Sequence, residues 1–248
     1  MFDWRKETAD PCNPHTRKLL QRALLSRRKT FYGRLVDFFV AACKGKSVLH
    51  LGFVEHSPEY INKVSWKHAA IASVASRLVG IDIAEDGVHA ARKLGYESYV
   101  LDVTGSESLG ETFDVVIAGD IIEHLMSLDS LYAFSKKHMD AKSKVFISTP
   151  NPTCALWIPD VVRGGTFVSN FEHTCWIAPS HVNEHAQRLG MELHRYHVIL
   201  GGASLGPIGR RLKAFAFAAM PEFIASTNVY ELSRAANHAP GSSEQQHS

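Results

Sequence analysis

From residue 47 onward, short apolar runs alternate with helical stretches, and this alternation limits the fold more than any other feature of the chain. SVLHLG (47–52), LVGIDI (78–83), SYVLDV (98–103), FDVVIAG (113–119) and KVFISTP (144–150) read as strands. Between them, SWKHAAIASVASR (65–77) reads as a helix with Ser65 as N-cap, EDGVHAARKLG (85–95) as a helix closed by Gly95, and residues 121–139 as a third. Alternation of this kind implies parallel strands joined by crossover helices. The strands are apolar without interruption, as they are when both faces are covered. The predicted fold is an α/β, doubly wound, Rossmann-like sheet.

The two ends of the chain differ from this middle. Before residue 47, Leu19, Leu20, Leu24, Phe31, Leu35, Phe38 and Phe39 recur at helical spacing, predicting one or two amphipathic helices over 15–44. Residues 1–46 carry 11 Lys/Arg against 4 Asp/Glu, while the rest carries 16 against 21. Residues 1–44 are therefore expected as a basic N-terminal helical arm. Such an arm could make peripheral contact with anionic lipid or polyanions, but a solvated helical face is the favoured reading of the charge. Residues 151–177 hold Pro, Gly, Trp and Phe without period and read as a long loop or small cap, a length that is usually functional. Residues 178–190 read as a helix. MELHRYHVIL (191–200) and RLKAFAFAAM (211–220) read as two antiparallel strands of a hairpin. Residues 237–248, NHAPGSSEQQHS, have the composition of a disordered tail.

Composition excludes several classes. With 248 residues and 45% hydrophobic content the chain buries a full core without a disulfide or metal staple. The longest uncharged run, Val145 to Pro159, contains three prolines and is shorter than the roughly 20 apolar residues of a bilayer span. MFDWRKETAD has no apolar leader segment, and four cysteines lie scattered without C-x-x-C spacing, so a reducing cytoplasm is the expected compartment.

In an open parallel sheet, ligands bind beyond the carboxyl ends of the strands. That rule selects Gly52, Phe53, Val54, Glu55 and His56, then Asp82, Asp102, the set Asp120, Glu123 and His124, and finally Thr149 to Asn151. A carboxylate after the second of these strands accepts from a ribose diol, and one after the third accepts from an adenine amine. The first loop, LGFVEHS, has one glycine and no G-x-G-x-x-G, and no P-loop lysine is present. A pyrophosphate is therefore disfavoured, and an adenosine ligand without one is favoured.

SVLHLG, VGIDI, LDV, FDVVIAGDIIEHL and VFISTPNP in series resemble class I S-adenosylmethionine-dependent methyltransferases over roughly residues 45–220. FDVVIAGDIIEHL is similar to the fourth-strand motif of the ubiquinone-pathway O-methyltransferases, in the type 11 and type 23 groups. NFEHTCWIAPSHV (170–182) resembles their later H-x-x-x-F-x-P-x-E-L stretch, with His181 in place of its Glu. The L-G-x-V-x-H loop with a later E-H-T-x-W also resembles methyltransferases associated with bacterial surface polysaccharides. The resemblance implies a seven-stranded sheet with its last strand antiparallel, a methyltransferase domain over 45–236 and a substrate loop over 151–177. The chain departs from the family in its first motif. His50-Leu51-Gly52-Phe53-Val54 stands where D-x-G-x-G is usual, and the 30 positions from Gly52 to Asp82 imply an extra loop near 57–64.

Carried residue by residue, the resemblance implies S-adenosyl-L-methionine as cofactor. Gly52 and Phe53 would approach its methionyl part and His56 its carboxylate. Asp82 and Ile83 would hold the ribose, Asp102 and Val103 the adenine, and Asp120 the methionine side. For transfer to a neutral oxygen, His124 and His173 are the candidate catalytic bases, with Glu123 in reserve or orienting a histidine. The Glu123-His124 pair also suits a helix start, where a carboxylate favours the dipole. Trp157, Phe167, Phe171 and Trp176 are candidates to wall an acceptor pocket or simply to pack. His181 and His185 have zinc-compatible spacing, but H-V-N-E-H lacks the H-E-x-x-H order, so no metal is expected. The expected function is methyl transfer to an oxygen or nitrogen of a small molecule or glycan. The alternative is a non-catalytic binding module that keeps the fold with a degenerate cofactor loop. A nicotinamide oxidoreductase lacks its pyrophosphate loop. A nucleic-acid methyltransferase fits the basic arm but lacks N-P-P-[YF], so nucleic acid is disfavoured.

Overall fold

The computed structural model describes residues 2–55, 59, 61, 63, 65–166, 170–201, 211 and 215–236. Eight strands among them form one sheet: β1 (Arg28–Tyr32), β2 (Ser47–Leu51), β3 (Arg77–Asp82), β4 (Glu97–Val100), β5 (Phe113–Gly119), β6 (Met139–Pro150), β7 (Met191–Leu200) and β8 (Thr227–Arg234). Their order is β1-β7-β8-β6-β5-β2-β3-β4. β8 runs antiparallel to β6 and β7, and every other pair is parallel. This is the doubly wound sheet with an antiparallel last strand that the sequence predicts, widened by one edge strand, β1. The principal helices are α1 (Pro14–Arg27), α2 (Leu35–Cys43), α3 (Lys67–Ala72), α4 (Glu85–Lys93), α5 (Leu128–Lys137), α6 (Ile158–Gly164) and α7 (Pro179–Arg188). None of the helices in the described residues is long and apolar enough to cross a membrane.

The period of two sorts the strand side chains into two cores. Leu49, Leu51, Val116, Ala118, Val145 and Ile147 join Leu131 and Phe134 of α5 and Val182 of α7 on one face. Val48, Val115, Ile117 and Phe146 meet Phe38, Phe39 and Cys43 of α2 and Ile71 of α3 on the other. A third cluster, Phe53, Val54, Trp66, Val88 and Ala91, sits under the loop that follows β2.

Several elements differ from expectation. The stretch expected as one or two helices over 15–44 contains α1 and α2 with β1 between them, because residues 28–32 pair with Tyr196–Leu200 of β7. The helix expected from Ser65 begins at Lys67 and ends at Ala72, since Ser76 N donates to Lys46 O and turns the chain into β3. The helix expected over 121–139 is a 3-10 turn (Ile122–His124) followed by α5. The strand expected over 211–220 is overturned. Residues 215–219 are helical, and the partner of β7 is β8. The expected tail, 237–248, lies outside the described residues.

The first residues of the chain are fastened to α7. Trp4 Nε1 donates to Glu184 Oε2 at 3.1 Å, Arg5 bonds the same carboxylate, and Asn183 and Gln187 of α7 donate to Phe2 O. Arg27, Arg28 and Arg34 are also ion-paired within the chain. Hydrogen bonding from Arg5, ahead of contributions from Arg188 and Trp4, holds the Glu184 carboxyl well below its ordinary 4.5, at about 2. A carboxylate lowered in the fold stabilises it above the ordinary value, and that stabilisation is lost as pH falls through the lowered one. Glu184→Gln should therefore lower stability at pH 7. Its gap from wild type should narrow between pH 4.5 and about 2, as read by urea unfolding at two pH values.

Gly87 of α4 ties that helix to the first loop. A Cβ there would stand 2.4 Å from Val54 Cγ1, and Val54 is 1% exposed and cannot swing away. Helix propensity favours alanine by about 1 kcal/mol, whereas overpacking costs about 1–3 kcal/mol. The clash should win, so Gly87→Ala should lower Tm by about 2–4 °C in a thermal melt. A rise would mean that propensity dominates.

Candidate functional site

Parallel register brings the strand ends to one level. Leu51 lies opposite Ile81 on β3 and Ala118 on β5, and Asp82 opposite Val100 on β4. Gly52, Asp82, Leu101 and Gly119 therefore emerge side by side, and with Asp102 and Asp120 they line a cavity of about 390 Å³. Gly52 has φ +66, a conformation open to glycine, and a Cβ there would meet Ile121 Cδ1 at 3.2 Å. Its N–H donates to Ile81 O at 2.9 Å, which anchors the turn to β3.

The carboxylates are fixed by backbone donors. Asp82 Oδ2 accepts from Val54 N at 2.9 Å and Oδ1 from Ala84 N at 3.0 Å. Two oxygens offer about four acceptor positions, so lone pairs remain for a diol. Asp102 Oδ1 accepts from Thr104 N and Oγ1, both at 2.7 Å. Asp120 sits at φ +55, which a short polar side chain tolerates. Its N–H donates to Ser148 O and Oγ, and its Oδ1 accepts from Ser148 Oγ at 2.8 Å.

Lys67, at the start of α3, reaches across the cavity. Its Nζ is 3.1 Å from Asp120 Oδ2 and 3.9 Å from Glu55 Oε1. Burial depresses the ammonium, but Asp120 first and then Glu55 outweigh it and hold it above its ordinary value. Sequence reading missed Lys67 because the stretch of 57–64 hides its register against β2. A basic residue opening the first crossover helix was the signal available. Glu55, which the strand-end rule selects, also lines the cavity, as do Leu101, Ile121 and Glu172, which were not singled out.

Of the candidate acid–base groups, His124 is a lining residue of the cavity, while Glu123 and His173 stand beside His124 and are not among the lining residues. The His124 ring centroid is 4.8 Å from that of His173, edge to face. One ligand atom each from Glu123, His124 and His173 lies within 4.8 Å of the others. The loop carrying His173 is clamped to the 3-10 turn. Thr174 N donates to Glu123 O at 2.8 Å, and Thr174 Oγ1 donates to Glu123 O and Leu125 O. Glu123 is 1% exposed, and neither carboxyl oxygen has a hydrogen-bond partner among the described residues. Burial first, then the charge of Asp120, pushes its carboxyl up to about 7; the nearby backbone N–H of Glu123 itself, the Thr149 hydroxyl and the charge of Lys67 offset part of this.

The remaining sequence candidates divide between cavity and surroundings. Phe53 is buried against Trp66 and His68, and its carbonyl accepts from Trp66 Nε1 at 2.9 Å, so it supports the loop from below. Ile83 and Val103 line the cavity. His56 and Phe167 lie outside the described residues. Trp157 and Trp176 pack edge to face at 5.3 Å, and Phe171 is 94% exposed; none of the three lines the cavity. His50, at the usual acidic position of the first motif, is buried with its Nδ1 3.2 Å from His68 Nδ1. His181 Nδ1 accepts from Ala178 N, and His185 lies beside Asp129 and Tyr132 rather than with His181 in a ligand set.

No family model matches the sequence, and no curated protein matches it. Solved structures do match. The magnesium protoporphyrin IX methyltransferase of Synechocystis PCC 6803, with bound S-adenosylhomocysteine, is 15% identical, covers 94% of this chain and 93% of its own, and has a TM-score of 0.53. An S-adenosylmethionine-dependent methyltransferase from Archaeoglobus fulgidus is 14% identical over 88% of this chain and 94% of its own, with a TM-score of 0.51. One from Mesorhizobium loti is 14% identical over 80% and 95%, with a TM-score of 0.50. The chain therefore has the fold of the S-adenosylmethionine-dependent methyltransferases.

Proposed function

We propose that this chain is an S-adenosylmethionine-dependent methyltransferase acting on an oxygen or nitrogen of a small molecule or glycan. The observation that carries the reading is the cavity across adjacent strand tips, with Asp82, Asp102 and Asp120 on its wall and Gly52 at its floor. The residues fit the cofactor on their own chemistry. Asp82 keeps lone pairs for two ribose hydroxyls, and Asp102 Oδ2 takes no bond from the described residues and can accept from an adenine amine. The absence of a Cβ at Gly52 leaves room beside Ile121 for a close backbone approach. Glu55, Asp82, Asp102 and Asp120 outnumber Lys67, a balance that favours a cationic ligand.

When bound, the cofactor supplies a methyl group on positively charged sulfur, which the acceptor displaces in line. The chain's own residues do the positioning. Asp82 and Asp102 fix the adenosine end, and Asp120, held by Ser148 and Lys67, borders the methionyl end. His124 faces the cavity and takes the proton of a neutral acceptor, with His173 beside it as the second base. A glycan or other hydroxylated acceptor is consistent with histidine bases, whose ordinary pKa of about 6.5 suits proton transfer near neutrality.

The alternative, a binding module without turnover, rests on the glycine-poor turn after β2. Titration calorimetry with S-adenosylhomocysteine tests the cofactor claim. Wild type should bind at micromolar concentration, and Asp82→Ala should weaken binding by about 10–100-fold, the loss of one or two charge-assisted hydrogen bonds. No binding at millimolar ligand would overturn it. Once an acceptor is in hand, His124→Ala and His173→Ala test the bases. Loss of the operative base should lower kcat by about 100-fold or more, and full turnover in both variants would refute the assignment.

A further inference from the structure

We infer that Glu123, His124 and His173 form a site for a divalent transition-metal cation at the acceptor end of the cavity. The placement of that site beside a methyl acceptor rests on the methyltransferase reading; the ligand set does not. Two observations support it independently. The first is convergence: three ligand atoms from two chain segments some 50 residues apart lie within 4.8 Å of one another. The second is the Glu123 carboxyl, which is 99% removed from solvent and has no hydrogen-bond partner among the described residues. A buried carboxyl is normally hydrogen-bonded, paired or bound to a metal. Lys67, the nearby ammonium, is engaged by Asp120 and Glu55 instead.

The geometry suits a cation. Bonds of about 2.1 Å bring ligand atoms to roughly 3–4 Å from one another, so the set needs to contract by about an ångström. His124 and His173 are partly exposed, while Glu123 is buried. The Thr174 clamp on Glu123 O and Leu125 O holds the two segments together without the cation. Glu172 adds a carboxylate oxygen 3.7 Å from His124 Nδ1, where an outer partner of a ligating imidazole would stand. Two imidazoles and one carboxylate with open positions favour Zn²⁺, Mn²⁺ or Fe²⁺ over Ca²⁺ or Mg²⁺.

The assignment changes how the acceptor loses its proton. With the cation bound, the two imidazoles are ligands and no longer bases. An acceptor hydroxyl bound at an open position has its pKa lowered, releases its proton to solvent and keeps its lone pair for the methyl carbon. A substrate with two adjacent oxygens, such as a sugar diol, would fill two open positions. The pair tested from sequence spacing, His181 and His185, lies elsewhere, on α7.

Chelator-stripped full-length protein titrated with Co²⁺ provides the test, followed by absorption in the visible and by calorimetry with Zn²⁺. Saturable one-to-one binding is expected. His173→Ala and Glu123→Gln should each weaken it at least tenfold, and His185→Ala should leave it unchanged. Asp82→Ala should weaken S-adenosylhomocysteine binding about 10–100-fold yet leave cation binding unchanged, and His173→Ala should weaken cation binding yet leave S-adenosylhomocysteine binding unchanged. The absence of saturable Co²⁺ binding, or binding unmoved by His173→Ala, would overturn the site. If Glu123→Gln fails to fold, His173→Ala on the loop still decides. Cation binding without any S-adenosylhomocysteine binding would sink the methyltransferase reading and leave the metal site standing.

Discussion

The register of β2 between β3 and β5 is the constraint on which the site depends. Pairing His50 with Gly80 and Ile117, and Leu51 with Ile81 and Ala118, places three chain reversals at one height. A slip of one residue would turn every apolar side chain of β2 to the opposite face and carry Gly52 off the level of Asp82. The same register explains how a glycine-poor turn can work. Gly80 has no Cβ, and one added there would collide with Phe53 at 2.7 Å and His68 at 2.9 Å. The space is filled by Phe53, His68, Trp66 and His50, all at most 1% exposed. Burial holds His68 down to about 3 and His50 well below its ordinary range, so both imidazoles are neutral and share one N–H between their Nδ1 atoms. The loop is therefore shaped by an aromatic floor of buried side chains.

Above that floor, charge is arranged in an ordered chain. Ser148 on β6 orients Asp120, Asp120 holds Lys67, and Lys67 reaches back to Glu55 in the first loop. Asp120 accepts a left-handed backbone conformation to do this, and Glu55 has φ 65. Two non-glycine residues in that region on facing sides of one cavity are the kind of local strain that persists where surrounding contacts over-determine it. Beside this chain, burial first and then the charge of Asp120 push the Glu123 carboxyl up, while Lys67 is held as a cation by Asp120 and Glu55.

The central strands were legible because both their faces are buried, so their sequences are apolar runs bounded by turn residues. Asp82, Asp102 and Asp120 were legible for the same reason: each follows such a run. Other elements were hidden by tertiary override. Residues 28–32 continue the helical spacing of Phe31 and Leu35, yet become β1 because β7 offers an open edge. RLKAFAFAAM alternates as a strand does, but its alanines are strong helix formers, and residues 215–219 are helical. β8 escaped notice although it lies between β6 and β7, because polar residues interrupt it. Asn228 Nδ2 donates to Asn151 Oδ1 and Tyr230 Oη, and Glu231 lies between Lys144 and His197. Partners of that kind are distant in sequence, so a polar strand in the sheet centre reads as a loop until its neighbours are known.

The acceptor end was the least legible part, and its physics explains why. Glu123 and His124 follow β5 in the chain and were found by position. His173 is joined to them through backbone, since Thr174 N and Oγ1 bond to carbonyls of the 3-10 turn and Cys175 Sγ lies 3.7 Å from Ile122 O. A carbonyl acceptor is present at every residue, so such a clamp leaves almost no trace in residue type beyond one threonine. Its effect is nevertheless specific. It closes the loop over the 3-10 turn, shuts water away from Glu123 and fixes the height of His173 beside His124. The buried carboxyl, the paired imidazoles and the clamp are thus one arrangement. Loosening the loop would wet Glu123 and separate the histidines in the same motion, so the chemistry at this end depends on the docking of residues 172–176 as much as on the three side chains themselves.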